Sequence, residues 1–169
     1  MLNRRSFIAL AAVATLSACA APGQLVDANV ASSLRITEVA VNTTVTRQET
    51  AVPKAEILET TRAKLETTLA SVNPAGSRAV RLEVTVSQFH IANPVAGVLL
   101  GNTASSIITD MRLVDVSTGA VVKDSFRVFG NTEARPTILG SVAIKPARQE
   151  LAIITNDLAA NTRVAIFGN

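Results

Sequence analysis

Few residues of this 169-residue chain have the side chains that catalysis or metal binding requires. Cys19 is the only cysteine and His90 the only histidine, so neither an intramolecular disulfide nor a multi-histidine metal site can form. No motif places a serine with His90, for which a structural or surface role is the simpler interpretation and proton sensing or binding the alternative. Asp110, Asp115 and Asp124 could suggest an acidic metal site. However, alternation along the predicted strands and the turn between them place these three residues apart. The sequence therefore predicts no catalytic residue, no cofactor and no metal site.

Cys19 lies at the end of a pattern that is typical of exported proteins. Arg4 and Arg5 provide a basic start, residues 7–16 are mostly apolar, and small residues precede Cys19. The apolar run is too short to cross a hydrocarbon core, which needs about 20 helical residues. We therefore expect residues 1–18 to be a signal peptide that is removed.

The stretch Leu16-Ser17-Ala18-Cys19 resembles the lipobox of bacterial lipoproteins. The resemblance implies that Cys19 becomes the acylated first residue of the mature chain and attaches it to a membrane. An ordinary cleaved signal with an incidental cysteine is the alternative. Residues 3–8 also resemble a twin-arginine export signal, although ordinary signals contain paired arginines too, so the export route stays open. Ala20 stands where many inner-membrane lipoproteins have aspartate, which implies the periplasmic face of the outer membrane.

The mature chain is almost neutral. The full chain has 16 Lys plus Arg and 13 Asp plus Glu, and removal of Arg4 and Arg5 leaves a formal charge of about +1. It contains no Trp, no Tyr and five Phe. Nucleic-acid binding would need a basic surface and aromatic stacking residues, and the chain has neither. Its core must be aliphatic.

Hydrophobic periodicity divides the mature chain into a tether, residues 19–33, and one domain, residues 34–169. Strands are expected at 34–46, 79–91, 104–116 and 120–129, with bulges near Glu38 and Gln88 and a tight turn at Gly119. Helices are expected at 53–72 and 146–166, with buried stripes that include Leu58 and Leu65 in the first. The predicted fold is two-layer α+β, an antiparallel four-stranded sheet with two helices on one face, in the order β-α-β-β-β-α.

This order of elements behind a lipobox resembles several families of small envelope lipoproteins. They include the lipopolysaccharide-assembly lipoprotein, which sits inside a partner β-barrel, the auxiliary lipoproteins of lipid-transport complexes and the curli-secretion lipoprotein. The resemblance implies a non-catalytic accessory or interaction subunit with an envelope protein as partner. A carrier of a small apolar ligand or lipid, held between sheet and helices, is the alternative, and an enzyme is the least favoured.

Residues 92–102 form the segment where a partner contact is most readily expected. Pro94, Val98, Leu99 and Leu100 combine apolar side chains with interruptions by proline and glycine, so neither a regular strand nor a regular helix is expected. The segment either folds back over one end of the core or exposes an apolar loop to a partner or a bilayer.

Overall fold

The structure, a computed structural model, describes residues 23–46, 52–95, 103–133 and 143–168. The helices that lie wholly within these ranges are α1 (Ala28–Ser33), α2 (Lys54–Ala70) and α3 (Ala147–Phe167). The strands are β1 (Leu34–Thr43), β2 (Arg78–His90), β3 (Ser106–Asp115) and β4 (Val121–Asn131). The fold class is α+β, as the sequence predicts.

The four strands form one mixed sheet in the order β1-β2-β3-β4. Strands β1 and β2 are parallel, whereas β2, β3 and β4 are successively antiparallel. The prediction of a purely antiparallel sheet is therefore wrong at one pair. The reason is that α2 carries the chain back along the sheet before β2 begins, and a helical crossover joins parallel neighbours. The element order also gains a helix, because α1 precedes β1.

Both predicted bulges are present, and they decide which side chains enter the core. The register between β1 and β2 shifts between Ile36 and Glu38, and that between β2 and β3 shifts between Val86 and Gln88. The second shift moves Phe89 onto the core side, opposite the buried Ile107. It thereby explains the break in alternation that the sequence shows at this point.

Helices α2 and α3 pack on one face of the sheet and on each other, as predicted. The buried stripe of α2 runs through Ile57, whereas Leu58 is only half-buried, which corrects the prediction. The layer between helices and sheet is closely filled by large side chains with almost no exposed surface. They include Leu65, Leu69, Leu82, Met111, Leu113, Leu151, Ile154 and Leu158.

The described part of the segment predicted as a tether packs onto the domain. The backbone N–H groups of Leu25 and Val26 donate to the carbonyl oxygen of Ala165, at 2.7 and 3.2 Å. Val26 is buried, and the Asp27 carboxylate caps α1 by accepting from the backbone N–H of Asn29 at 2.9 Å. A capped helix was missed here because six residues are too few for a periodic pattern.

Candidate functional site

Most of the residues predicted to have a function lie outside the described ranges, so those predictions stand as predictions. They are Cys19, Arg4, Arg5, Val98, Leu99 and Leu100. Pro94 is described and exposed, and the neighbouring Val95 has 69% of its surface exposed. The described start of the predicted interaction loop therefore presents an apolar side chain to solvent.

Three connections meet at one end of the sheet, which we call the loop end. Strands β1, β2 and β4 finish there, β3 begins there, and α2 and α3 start there. Two contacts fix the helix starts: Lys54 donates to the carbonyl oxygen of Val45 at 2.9 Å, and Arg148 donates to Glu56 at 2.7 Å. The described residues of the loop end are 44–46, 52–53, 91–95, 103–105, 132–133 and 143–146.

A buried carboxylate joins two of these connections. Glu150 has no exposed surface, although it lies in the first turns of α3. Its Oε2 accepts from the Ser105 hydroxyl at 2.8 Å, and its Oε1 accepts from the backbone N–H of Lys145 at 2.9 Å. A buried carboxylate must be hydrogen-bonded to offset its desolvation, and here its partners come from two connections.

Ser105 extends this network to the ends of β2 and β4. Its hydroxyl accepts from the backbone N–H of Ala92 at 2.9 Å, and its backbone N–H donates to the Thr132 hydroxyl at 2.8 Å. The backbone N–H of Thr132 donates in return to the carbonyl oxygen of Ser105 at 2.9 Å. We call Ala92, Ser105, Thr132, Lys145 and Glu150 the loop clamp.

The loop clamp is suited to holding segments rather than to nucleophilic chemistry. Ser105 and Glu150 have no exposed surface, so no substrate reaches the hydroxyl. The network instead fixes where residues 91–95 and 103–105 leave the sheet and where residues 143–146 enter α3. A rigid base of this kind is how folds position binding segments. The sequence spacing could have indicated that Glu150 is buried, because it lies on the same helix face as Ala147 and Ile154.

His90 is exposed at the last position of β2, also at the loop end. It is paired in register with Ser106 and borders an open cleft of about 510 Å³. The cleft is lined by both polar and apolar groups, which are Thr44, Val45, Thr46, Ser87, Gln88, Phe89, His90 and Ser106. The structure thus places His90 on a surface, and its predicted role remains a prediction.

The sheet face opposite the helices carries paired charges. Glu83 accepts from Arg112 at 2.6 Å and from Arg81 at 2.8 Å, and these two guanidinium groups hold the pKa of Glu83 below its usual value. On the next strands, Arg127 donates to Asp110 at 2.9 Å and lowers the pKa of Asp110. The Arg112–Glu83 and Arg127–Asp110 pairs join neighbouring strands and are partly exposed, so each stabilises the sheet modestly.

Asp110, Asp115 and Asp124, which the sequence analysis considered together, have different partners and do not form one site. Asp110 is paired with Arg127, whereas Asp115 organises the turn between β3 and β4 and Asp124 is exposed on β4. Asp115 accepts from Ser117 at 2.6 Å and from Arg78 at 2.7 Å, and these contacts hold the pKa of Asp115 well below its usual range. In the described part of the chain, no three His, Cys, Asp or Glu residues are grouped as metal ligands.

Among the described helices, none combines the length and the apolar character that crossing a membrane takes.

No protein-family model and no curated protein matches the chain. Among solved structures, it is similar to a candidate lipoprotein from Caulobacter crescentus, with 17% identity and a TM-score of 0.40 over 80% of this chain and 88% of that one. It is also similar to a dodecamer of PelC from Paraburkholderia phytofirmans, with 14% identity and a TM-score of 0.41 over 85% of this chain and 91% of that one. At these values the similarities carry no functional inference to this chain.

Proposed function

We propose that this protein is a lipid-anchored protein of the bacterial envelope whose domain is a non-catalytic interaction subunit. The mature chain would begin at an acylated Cys19, after export directed by residues 1–18. Ala20 favours the periplasmic face of the outer membrane as its location. The partner would be another envelope protein, held as part of an assembly or transport complex.

The observation that carries the proposal is the arrangement at the loop end. The loop clamp joins residues 91–95, 103–105 and 143–146 to the start of α3 through hydrogen bonds that are buried at Ala92 and Ser105 and part-buried at Lys145. Val95 projects from this base with 69% of its surface exposed. Val95 borders the predicted interaction segment, residues 92–102, and a contact made there costs less conformational entropy because Ala92 and Ser105 are already held by hydrogen bonds.

The filled layer between sheet and helices gives less support to the carrier alternative. A ligand held there would need an apolar cavity, whereas Leu82, Met111 and Leu158 have almost no exposed surface and belong to one continuous core. We therefore favour binding at a surface over binding in the interior.

Site-specific photo-crosslinking in intact cells tests the proposal. A photoreactive amino acid at Val95 should capture one envelope protein repeatedly. The matched controls are Ser125, which is exposed on the outer face of the sheet, and Thr118, which is exposed at the opposite end of the domain. We expect both controls to give weak capture or none.

Two results would count against the proposal. Equal capture of the same protein from Val95, Ser125 and Thr118 would mean that the crosslinks reflect general proximity and not specific binding at the loop end. Crosslinks from Val95 only to lipid, or only back into the same chain, would mean that the loop end does not bind a protein.

A further inference from the structure

We propose that the end of the domain opposite the loop end rests on the phospholipid surface. We call it the hairpin end. Its described residues are 23–27, 71–77, 115–121 and 165–168. The inference rests on the proposed function, because it takes membrane attachment at Cys19 as given and adds which surface faces the lipid.

The chain enters the domain at the hairpin end. The backbone N–H of Leu25 donates to the carbonyl oxygen of Ala165 at 2.7 Å, and the Gln24 amide donates to that of Ile166 at 3.2 Å. Both acceptors belong to the last turn of α3, which starts at the loop end. The entry point is therefore held by hydrogen bonds and cannot move along the domain.

Only a short segment separates this entry point from the acylated residue. The four residue-to-residue steps from Cys19 to Gly23 span at most about 14 Å when fully extended. Strand β2 has 13 residues, so the two ends of the sheet are about 40 Å apart. With the hairpin end tied this close to the bilayer, the loop end reaches the lipid only if the domain lies on its side.

The distribution of exposed apolar side chains favours an orientation in which the hairpin end faces the lipid and the loop end points away from it. Among the described residues, five large hydrophobic side chains are exposed, and three of them lie at the hairpin end. Those three are Leu25, Val116 and Val121, with 42%, 40% and 53% of their surfaces exposed. Transfer of such apolar side chains from water into the interface between headgroups and acyl chains is favourable.

The carboxylates of the hairpin end are already occupied. Asp27 accepts from the backbone N–H groups of Asn29 and Val30 at the start of α1. Asp115 accepts from Arg78 and Ser117. Because Asp115 is paired with the positive Arg78, Asp27 is the only described residue of the hairpin end that adds a negative charge, so the repulsion from anionic headgroups is that of one charge.

Fluorescence quenching on vesicles tests the inference with the full lipidated protein. Cys19 is the only cysteine, and acylation consumes its thiol, so an introduced cysteine is a unique labelling site. We would label Thr118→Cys at the hairpin end, Val95→Cys at the loop end and Ser125→Cys on the outer sheet face. The vesicles would contain phosphatidylethanolamine, phosphatidylglycerol and a lipid with a nitroxide on its headgroup.

We expect a loss of fluorescence at Thr118→Cys and none at Val95→Cys or Ser125→Cys. The double substitution Val116→Ser with Val121→Ser should reduce the loss at Thr118→Cys. The control Val95→Ser, which removes the same kind of side chain at the other end, should leave that loss unchanged. Circular dichroism on each variant would show that the fold is retained.

The outcomes separate this inference from the proposed function. If the protein floats with the vesicles and Ser125→Cys or Val95→Cys is quenched instead, the domain lies on its side or inverted, and the inference is overturned while the anchor stands. Flotation without quenching at any position would mean that the hairpin end faces something other than lipid, which also overturns it. Absence of flotation would contradict the anchor itself, and the inference with it.

Discussion

Glu150 illustrates how one side chain can decide the geometry of a surface that it does not reach. Its two oxygens accept from Ser105 and from the backbone of Lys145, and the residue is fully buried. In Glu150→Gln the amide group replaces one acceptor with a donor, which faces a hydroxyl or an N–H. We expect a loss of about 1–3 kcal/mol in the free energy of unfolding, measured by urea denaturation. The amide cannot accept from both Ser105 and Lys145, so either the Lys145 N–H faces a donor or the Ser105 hydroxyl must turn and give up its acceptor.

Glu133→Gln is the matched control, since Glu133 is exposed at the same end of the domain. It should leave the free energy of unfolding nearly unchanged. Equal stability of the wild-type protein and Glu150→Gln would show that the loop clamp contributes little, and would remove the structural basis for a rigid loop end.

Asp115 should make stability depend on pH in the acidic range. Contacts with Ser117 and Arg78 lower the pKa of its carboxyl in the folded protein. A lowered pKa stabilises the fold above the unfolded value of about 3.9, and this contribution is lost as the pH falls below that value. We therefore expect Asp115→Asn to lower the thermal unfolding midpoint at pH 7 and to lower it progressively less below about pH 4.

The exposed Asp124 provides the comparison for this pH dependence. Asp124→Asn, measured by the same thermal unfolding series, should show a much smaller change at pH 7. A midpoint difference for Asp115→Asn that stays constant from pH 7 to pH 2 would mean that lost packing, not lost charge, accounts for the effect.

At the scale of elements, the approach of α3 to β4 depends on Gly130. A Cβ atom at this position would overlap the carbonyl oxygen of Ile154 and lie 2.6 Å from the backbone nitrogen of Leu158. Both contacts are backbone atoms of a helix, which cannot move away without shifting α3. We expect Gly130→Ala to cost about 1–3 kcal/mol of unfolding free energy, as overpacking does in cores.

Gly23→Ala is the control for Gly130→Ala. It shows whether the loss of unfolding free energy comes from the steric contact with α3 or from replacing a glycine by alanine in general. Apart from its chain neighbours, no described residue has an atom within 4 Å of a Cβ built at Gly23, so this variant should unfold at nearly the same urea concentration as the wild type. If Gly130→Ala were equally harmless, α3 would have to pack further from β4 than the structure shows.

The sequence predicted the positions of the strands and helices better than the relative directions of the strands. Alternation located β2 and β3, and its breaks located both bulges, because a change of face is visible in residue order. The parallel pairing of β1 and β2 was missed, although a strand-helix-strand order indicates it. The loop clamp joins Ala92 to Glu150 through contacts between residues far apart in the sequence. Periodicity describes single elements, so the sequence pattern identified neither the residues of the loop clamp nor their partners.

For the molecule as a whole, the two ends of the sheet differ in what they present. The hairpin end holds the start of the described chain against the last turn of α3, whereas the loop end gathers the longer connections around a buried carboxylate. A domain tied at one end and exposed at the other suits a protein that holds a partner at a fixed distance from a membrane. The distance would be set by the length of the strands.

The proposed arrangement requires acylation of Cys19, which gives the last prediction. Two or more acyl chains anchor a protein stably, whereas one chain binds only marginally. We expect the mature chain with Cys19→Ser, from which residues 1–18 have been removed, to leave the membrane fraction in a flotation gradient. It should keep the wild-type thermal unfolding midpoint, since Cys19 precedes the described domain. Ala20→Ser, which introduces the same side chain next to an intact cysteine, should stay bound. If the mature chain with Cys19→Ser stayed on membranes without residues 1–18, another part of the domain would provide the attachment. The proposed anchor and the proposed contact of the hairpin end with lipid would then both be wrong.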